Sequence, residues 1–230
     1  MTEPPTGTAG RLVSVNIGRV RPNAGADAGI SGIDKRPVTG PVAVRAPGPK
    51  GVGGGSGLAG DPIVDLHHHG GDHQAAYAYA SEDLAGWSEL LGRPLPPGSF
   101  GENLTTADLD VTGALLGERW RIGAVLLRVT SARIPCSTFA AWLGEQRWQR
   151  RFTERGAPGA YLQVLEPGSL QAGDPVTVEH RPAHDVTIGV VFRAVTTDSA
   201  LLPRVLTAGD DLVPELRAKV LGRTRRTRLP

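Results

Sequence analysis

Glycine and proline break this chain so often that a bundle of long helices is excluded. Of 230 residues, 31 are glycine and 19 proline, roughly a fifth, against an average near 12%. The breaks fall between short apolar runs, the pattern of many strands joined by tight turns. The length allows one main domain with a real core and a small appendage. Strand-like runs lie at 11–18, 41–45, 160–165 and 175–179, and 118–130 reads as a hairpin about Gly123. Two helices interrupt them. The first spans 74–91, with a stripe of Ala75, Ala76, Tyr79, Leu84, Trp87, Leu90 and Leu91 stopped by Gly92 and Pro94; the second spans 142–152. Six or more short strands with two inserted helices predict a mainly β fold, a β-barrel rather than a doubly wound sheet.

From Val186 the texture changes to three short segments of helical spacing, 186–195, 199–207 and 212–221. The expected organisation is a flexible leader (1–10), a β-barrel domain (11–183), a short helical appendage (184–222) and a basic disordered tail (223–230). The pI near 9.0 suggests nucleic-acid affinity until its source is located. Arg223, Arg225, Arg226 and Arg228 lie in the tail, and removing them takes the net charge from +2 to −2. Without aromatics or a fold, four arginines make a poor recognition module, so no nucleic-acid partner is expected. No apolar run approaches a membrane span and no signal core opens the chain. With one cysteine, a cytoplasmic protein in a reducing compartment follows.

That cysteine, Cys136, closes Arg133-Ile134-Pro135-Cys136 after the strand-like run at 125–130. A lone thiol is core filler, a nucleophile or a metal ligand. Pro135 removes a backbone donor and ends sheet pairing, and Arg133 beside the thiol favours the thiolate.

A second cluster is His67-His68-His69-Gly70-Gly71-Asp72-His73-Gln74, with Asp61 and Asp65 nearby. Clustered His and carboxylates suggest zinc, yet only His69 and His73 have helical ligand spacing. Gly70-Gly71 permits a tight turn that leaves helix N-terminal amides free for an anion; alternatively Asp72 caps that helix. Seven glycines between 47 and 60 predict a mobile surface loop near the site. Phe100-Gly101-Glu102-Asn103 is a turn whose Glu and Asn are able to contact a heterocycle edge. Lys35-Arg36-Pro37 is either a phosphate hook or a solvated corner.

In combination these motifs resemble the MOSC family, the domain named after the C-terminal part of molybdenum cofactor sulfurases. The residues are Lys35-Arg36-Pro37-Val38, Gly40-Pro41-Val42, His68-His69-Gly70-Gly71-Asp72 with Ala75 and Tyr77-Ala78-Tyr79, and Gly98-Ser99-Phe100-Gly101-Glu102-Asn103-Leu104-Thr105. Arg133-Ile134-Pro135-Cys136 and Tyr161-Leu162-Gln163-Val164-Leu165-Glu166-Pro167-Gly168 complete the series, and the three C-terminal segments resemble those of the family's bacterial branch. The sequence departs at Ser137-Thr138-Phe139, where that branch often has an aromatic and a basic residue, and in its longer glycine-rich insertion.

The resemblance implies a barrel-like domain binding the pterin-based molybdenum cofactor, with Cys136 as the ligand to molybdenum. Lys35, Arg36, Gly70, Gly71, Asp72, Phe100, Asn103 and Arg133 are the candidate cofactor contacts. It further implies reduction of N-hydroxylated substrates such as hydroxylaminopurines and amidoximes. One cysteine cannot hold an iron–sulfur cluster, and no flavin motif is visible, so electrons are expected from a separate flavin or iron–sulfur reductase. Two other readings stand beside it: a non-catalytic carrier of sulfur or cofactor on Cys136, and a His-rich zinc hydrolase. The resemblance implies a homodimer, although no self-complementary surface can be read from periodicity.

Overall fold

Strand β1 (Thr8–Pro22) organises the fold because it changes partner twice along its 15 residues. Its first residues pair with β10 (Pro175–His180), its middle with β5 (Leu104–Ala107), and its second half with β2 (Ile30–Pro37). The ring continues from β10 through β6 (Arg119–Ile122), β7 (Val125–Ala132), β8 (Ala160–Glu166) and β4 (Ala76–Ala80) to β5. Seven strands thereby close a mixed β-barrel, which leaves no open edge within the ring. The β4–β5 pair is parallel and the other pairs are antiparallel. Strand β2 stands outside the ring as the arm of a hairpin. Strands β3 (Val42–Val44) and β9 (Gly168–Leu170) form a separate two-stranded sheet. This computed structural model describes residues 8–227.

Three expectations are corrected. The helix predicted over 74–91 is a 3-10 turn (Asp72–Gln74), then β4, and only then helix α1 (Ser81–Leu91). All five β4 residues are buried between β5 and β8, and a short strand buried on both faces has no alternation to distinguish it from a helix. The helix predicted over 142–152 is two helices, α2 (Ser137–Leu143) and α3 (Trp148–Arg155); α2 ends at Gly144 in the left-handed region (φ 68°). The segment read as a cationic turn around Lys35-Arg36 is strand β2. The 41–45 run does contain a strand, β3, but it pairs with β9 and not in the barrel.

Both expected termini differ too. Strand β1 already begins at Thr8, inside the span taken as leader; residues 1–7 lie outside the described part. Helices α4 (Ile188–Thr196), α5 (Leu202–Leu206) and α6 (Pro214–Thr227) make up the C-terminal segment. Helix α6 runs through the first residues expected to form the tail, and 228–230 are not described. No helix among the described residues is long and apolar enough to cross a membrane.

The barrel and the C-terminal helices share one core. Helix α4 is capped by Thr187, whose hydroxyl accepts the Val190 N–H at 3.1 Å, and it buries Val190, Val191, Phe192 and Val195. The Phe192 ring meets Phe152 edge-on at 6.1 Å. Burying such a side chain contributes about 1.5–3 kcal/mol. Beside the barrel, Trp87, Phe100, Phe139, Trp148 and Phe152 form a contiguous aromatic cluster with neighbouring centroids 4.7–6.3 Å apart. Such a cluster is close-packed and rigid, and it lies directly behind the residues that follow β7.

Candidate functional site

Strand β7 ends at Ala132 and the chain turns through Arg133-Ile134-Pro135 into α2, leaving Cys136 half-buried at the rim. The hairpin loop between β1 and β2 fits against this corner. Gly25 lies so close that a Cβ on it would stand 2.3 Å from the Ser137 carbonyl oxygen. The Gly25 carbonyl accepts the Ser137 hydroxyl at 2.7 Å, and Asn23 Nδ2 donates to the Thr138 carbonyl at 3.1 Å. Cys136 thus borders a cleft of about 330 Å³ walled by the 25–33 hairpin, the 62–70 segment, Tyr77, Arg133 and Tyr161. That size suits a small molecule.

Arg133 is the unusual group here. It is 7% exposed, its guanidinium stacked 4.2 Å from the Phe139 ring centroid and 4.9 Å from that of Tyr77. Its Nη1 donates to the Phe100 carbonyl. No carboxylate pairs with it among the described residues. Each desolvated cation–π contact stabilises it by roughly 2 kcal/mol. Burial without a counter-ion nevertheless leaves most of its donors for an anion in the cleft.

Lys35 also lines the cleft, but its charge is already engaged. Its ammonium donates to Asp61 Oδ1 and Oδ2 at 2.5 and 2.7 Å, with side-chain exposures of 6% and 0%. The Asp61 carboxylate also accepts the Gly18 N–H, the Ser56 hydroxyl and Asn103 Nδ2. Burial holds the Lys35 pKa below its ordinary value, opposed by the Asp61 charge. Asn103 lines the cleft and is likewise satisfied: its Oδ1 accepts the Tyr77 N–H at 3.2 Å, and Nδ2 serves Asp61 at 2.9 Å.

The remaining candidates divide. Gly70 lines the cleft, whereas Gly71, Asp72, Phe100 and Arg36 do not. Arg36 points outward and pairs with Asp34 at 2.6 Å, because alternation along β2 puts it on the face opposite Lys35. Phe100 belongs to the aromatic cluster, reaching the site only through its carbonyl. Most of the amides expected to be free at this turn are taken up within the protein. The N–H groups of Gly71, Asp72 and Gln74 bond to the carbonyls of Gly55, Gly48 and Gly71. Asp72 caps no helix; its Oδ1 accepts the Gly48 N–H at 2.9 Å. The glycine-rich loop is therefore tied down at its base, with Val52 exposed at the tip. Gly70 and Gly71, at φ 78° and 80°, permit this contact: a Cβ on either would stand 2.5 or 2.6 Å from the loop backbone.

Among the described residues no three His, Cys, Asp or Glu side chains gather to hold a metal. His68 Nδ1 is 2.8 Å from Asp65 instead, and burial, chiefly, lowers the pKa of His69 at the cleft wall.

Residues 65–177 match the MOSC domain family. The chain carries a MOSC domain. Over 114 residues it is 35% identical to the uncharacterized protein YflK of Bacillus subtilis, covering 50% of this chain and 52% of that one. Over 183 residues it is 28% identical to a Gibberella moniliformis protein named Reductase, covering 77% of this chain and 31% of the other. The chain therefore spans about half or less of the length of these relatives. The structure of YiiM from Geobacillus stearothermophilus superposes with a TM-score of 0.73 at 26% identity, covering 93% of this chain and 98% of that one. That overlap extends well beyond residues 65–177.

Sequence reasoning misses Tyr77 and Tyr161 in the wall of the MOSC cleft and the partner of Lys35 behind it. By position Asp61 is only a carboxylate near the histidines, and its pairing with Lys35 bridges 26 residues. The apolar pattern over 74–91 puts Tyr77 on a helix, and the run at 160–165 marks Tyr161 as strand without placing it beside the cysteine corner.

Proposed function

We propose that this MOSC protein binds the pterin-based molybdenum cofactor in the Cys136 cleft and reduces N-hydroxylated compounds, hydroxylaminopurines and amidoximes among them. The observation that carries the reading is a half-buried thiol sharing its cleft with a buried, carboxylate-free guanidinium. A soft thiolate suits molybdenum in its sulfur-rich pterin, and Arg133 suits the phosphate of that pterin. Lys35 contributes less, since Asp61 neutralises it. The residues present fit the group, with Cys136 as metal ligand and Arg133, Gly70 and Asn103 lining its place.

When bound, the cofactor supplies a two-electron redox centre able to take the oxygen of an N–O bond. The chain's own residues bind and shield. Phe139 and Tyr77 keep water from the flanks of Arg133, so its charge acts at low dielectric. The Asp61 network fixes Lys35 and Asn103 without adding net charge. The fungal relative's name supports an oxidoreductase. With one cysteine in the chain, an iron–sulfur cluster of its own is out of reach; a separate flavin or iron–sulfur reductase is the proposed donor.

The test is metal analysis of protein made in a host that synthesises molybdopterin, followed by turnover of an amidoxime. Molybdenum near one per chain, activity with dithionite or a flavoprotein donor, and none with NADPH alone are expected. Cys136→Ser removes both metal and activity. Persulfide sulfur on Cys136 without metal would instead make the protein a carrier, and unchanged molybdenum in Cys136→Ser would remove the thiolate from the coordination sphere.

A further inference from the structure

A second cleft, of about 510 Å³, lies between the barrel and the C-terminal helices. Val191 and Val195 of α4 and Val213 and Leu216 beside and on α6 form one wall, with Ala132 and Ile134 opposite. It adjoins the cysteine cleft: His68, His69, Gly70, Gln74 and Tyr161 line both. Two polar groups at this junction are unmatched. The Gln74 carboxamide oxygen has no hydrogen-bond partner, so either end of the amide turns toward a ligand at no cost in protein hydrogen bonds. No protein group bonds the Tyr161 hydroxyl among the described residues, although its ring rests 5.3 Å from that of Tyr77. Tyr77 differs, its hydroxyl donating to the Pro158 carbonyl at 2.7 Å.

Most charge around the second cleft is already engaged. His73 Nδ1 contacts Glu215 at 2.9 Å, linking the barrel to α6. Lys50 donates to the His68 carbonyl at 3.1 Å, and Asp72 accepts the Gly48 N–H. Lys219 stands exposed at the rim. Val191, Val195, Val213 and Leu216 make the helix-side wall apolar, while His69, His73, Gln74 and Ser131 share the rest of the lining.

We propose that the second cleft is the chamber for the uncharged, apolar body of the substrate, with Tyr161 and Gln74 hydrogen-bonding its N-hydroxy end at the junction. A substrate lying across both clefts presents its polar group toward Cys136 and its aryl or alkyl body to the valine wall. The class is an aryl or branched-alkyl amidoxime or hydroxylamine, or a free N-hydroxylated base, in preference to its phosphorylated form. This rests on the reductase reading above for the identity of the polar group, but the chamber is tested separately.

The full-length protein, carrying methyl-labelled valine and leucine, is titrated with benzamidoxime and followed by NMR. The methyl resonances of Val191, Val195, Val213 and Leu216 are expected to shift saturably; saturable binding with those four unmoved would overturn the chamber, as would no binding at millimolar ligand. Next, Val195→Phe narrows the space. The ratio of KM for benzamidoxime to that for acetamidoxime is expected to rise about tenfold, the scale of a pocket steric change, and a ratio within about twofold of wild type would overturn it. Tyr161→Phe is expected to weaken binding of both compounds by about tenfold, one hydrogen bond's worth; equal binding removes Tyr161 from the site. Tighter binding of 4-carboxybenzamidoxime than of benzamidoxime would overturn the preference for an uncharged body. If no N-hydroxy compound is turned over by wild type, the reductase reading fails, while the NMR titration still decides the chamber.

Discussion

The Arg133 guanidinium lies 4.2 Å from the centre of the Phe139 ring, a cation fixed by aromatic faces where a carboxylate would ordinarily stand. Phe139 lies three residues beyond Cys136, the N-cap of α2, so the same first turn that exposes the thiol also seats the charge beside it. A buried charge that nothing inside the protein neutralises is held at a cost, and such costs concentrate at binding sites.

Replacing that cation with an apolar chain of similar length separates stability from binding. Arg133→Met gives up two cation–π contacts and the hydrogen bond to Phe100 but relieves the desolvation of a buried charge, so the ligand-free protein is expected to stay within about 2 kcal/mol of wild type. Molybdenum retention is expected to fall at least tenfold. Chemical denaturation and metal analysis check the two together, and a large loss of stability with full metal content would assign Arg133 to structure alone.

The Lys35–Asp61 pair predicts the opposite pattern. Asp61→Asn strands a buried ammonium and is expected to cost about 3–5 kcal/mol. Combining Lys35→Met with Asp61→Asn removes the stranded charge and is expected to recover part of that loss. A denaturation cycle over the two singles and the double measures the coupling, and additive losses would show that the contact contributes nothing.

All three tyrosines in the chain have pKa values raised above the ordinary phenol value, with burial as the leading cause. A group that holds its proton more tightly when folded contributes stability below its unfolded pKa, here about 10. That contribution is lost as pH rises toward the folded value. Tyrosinate absorbance is therefore expected to stay low past about pH 10 and then to rise together with loss of the circular dichroism signal. Smooth titration of any tyrosine near pH 10 in folded protein would contradict this burial.

Gly71→Ala tests the seat of the glycine-rich loop. Both the positive φ and the 2.6 Å approach to Lys50 oppose a side chain, and a cost of about 1–3 kcal/mol is expected. Proteolysis at the loop tip near Val52 is expected to speed up, because the loop base loses its anchor; unchanged cleavage and stability would mean that the loop yields freely.

The barrel was legible in the sequence because its turns are written in glycine and proline, and because the β6–β7 hairpin alternates about Gly123. Strand β4 was not, since burial on both faces erased the period that separates strand from helix. The cysteine corner could be read from Pro135 ending a strand. Which cation stays free could not: Arg36 and Arg133 look alike in the chain, and only alternation along β2 and the aromatic stack on Phe139 distinguish them. Contacts such as Lys35–Asp61 depend on closure across distant strands, and no local spacing encodes them.

One long strand fastens the ring at β10 and β5 and then continues as the arm that carries Lys35 and the Asn23–Gly25 corner. A chain that has not yet joined its first strand to its last therefore lacks a pocket as well as a cylinder. Assembly intermediates of this kind have nowhere to lodge a prosthetic group, so insertion of the proposed cofactor is expected only after completion of the ring.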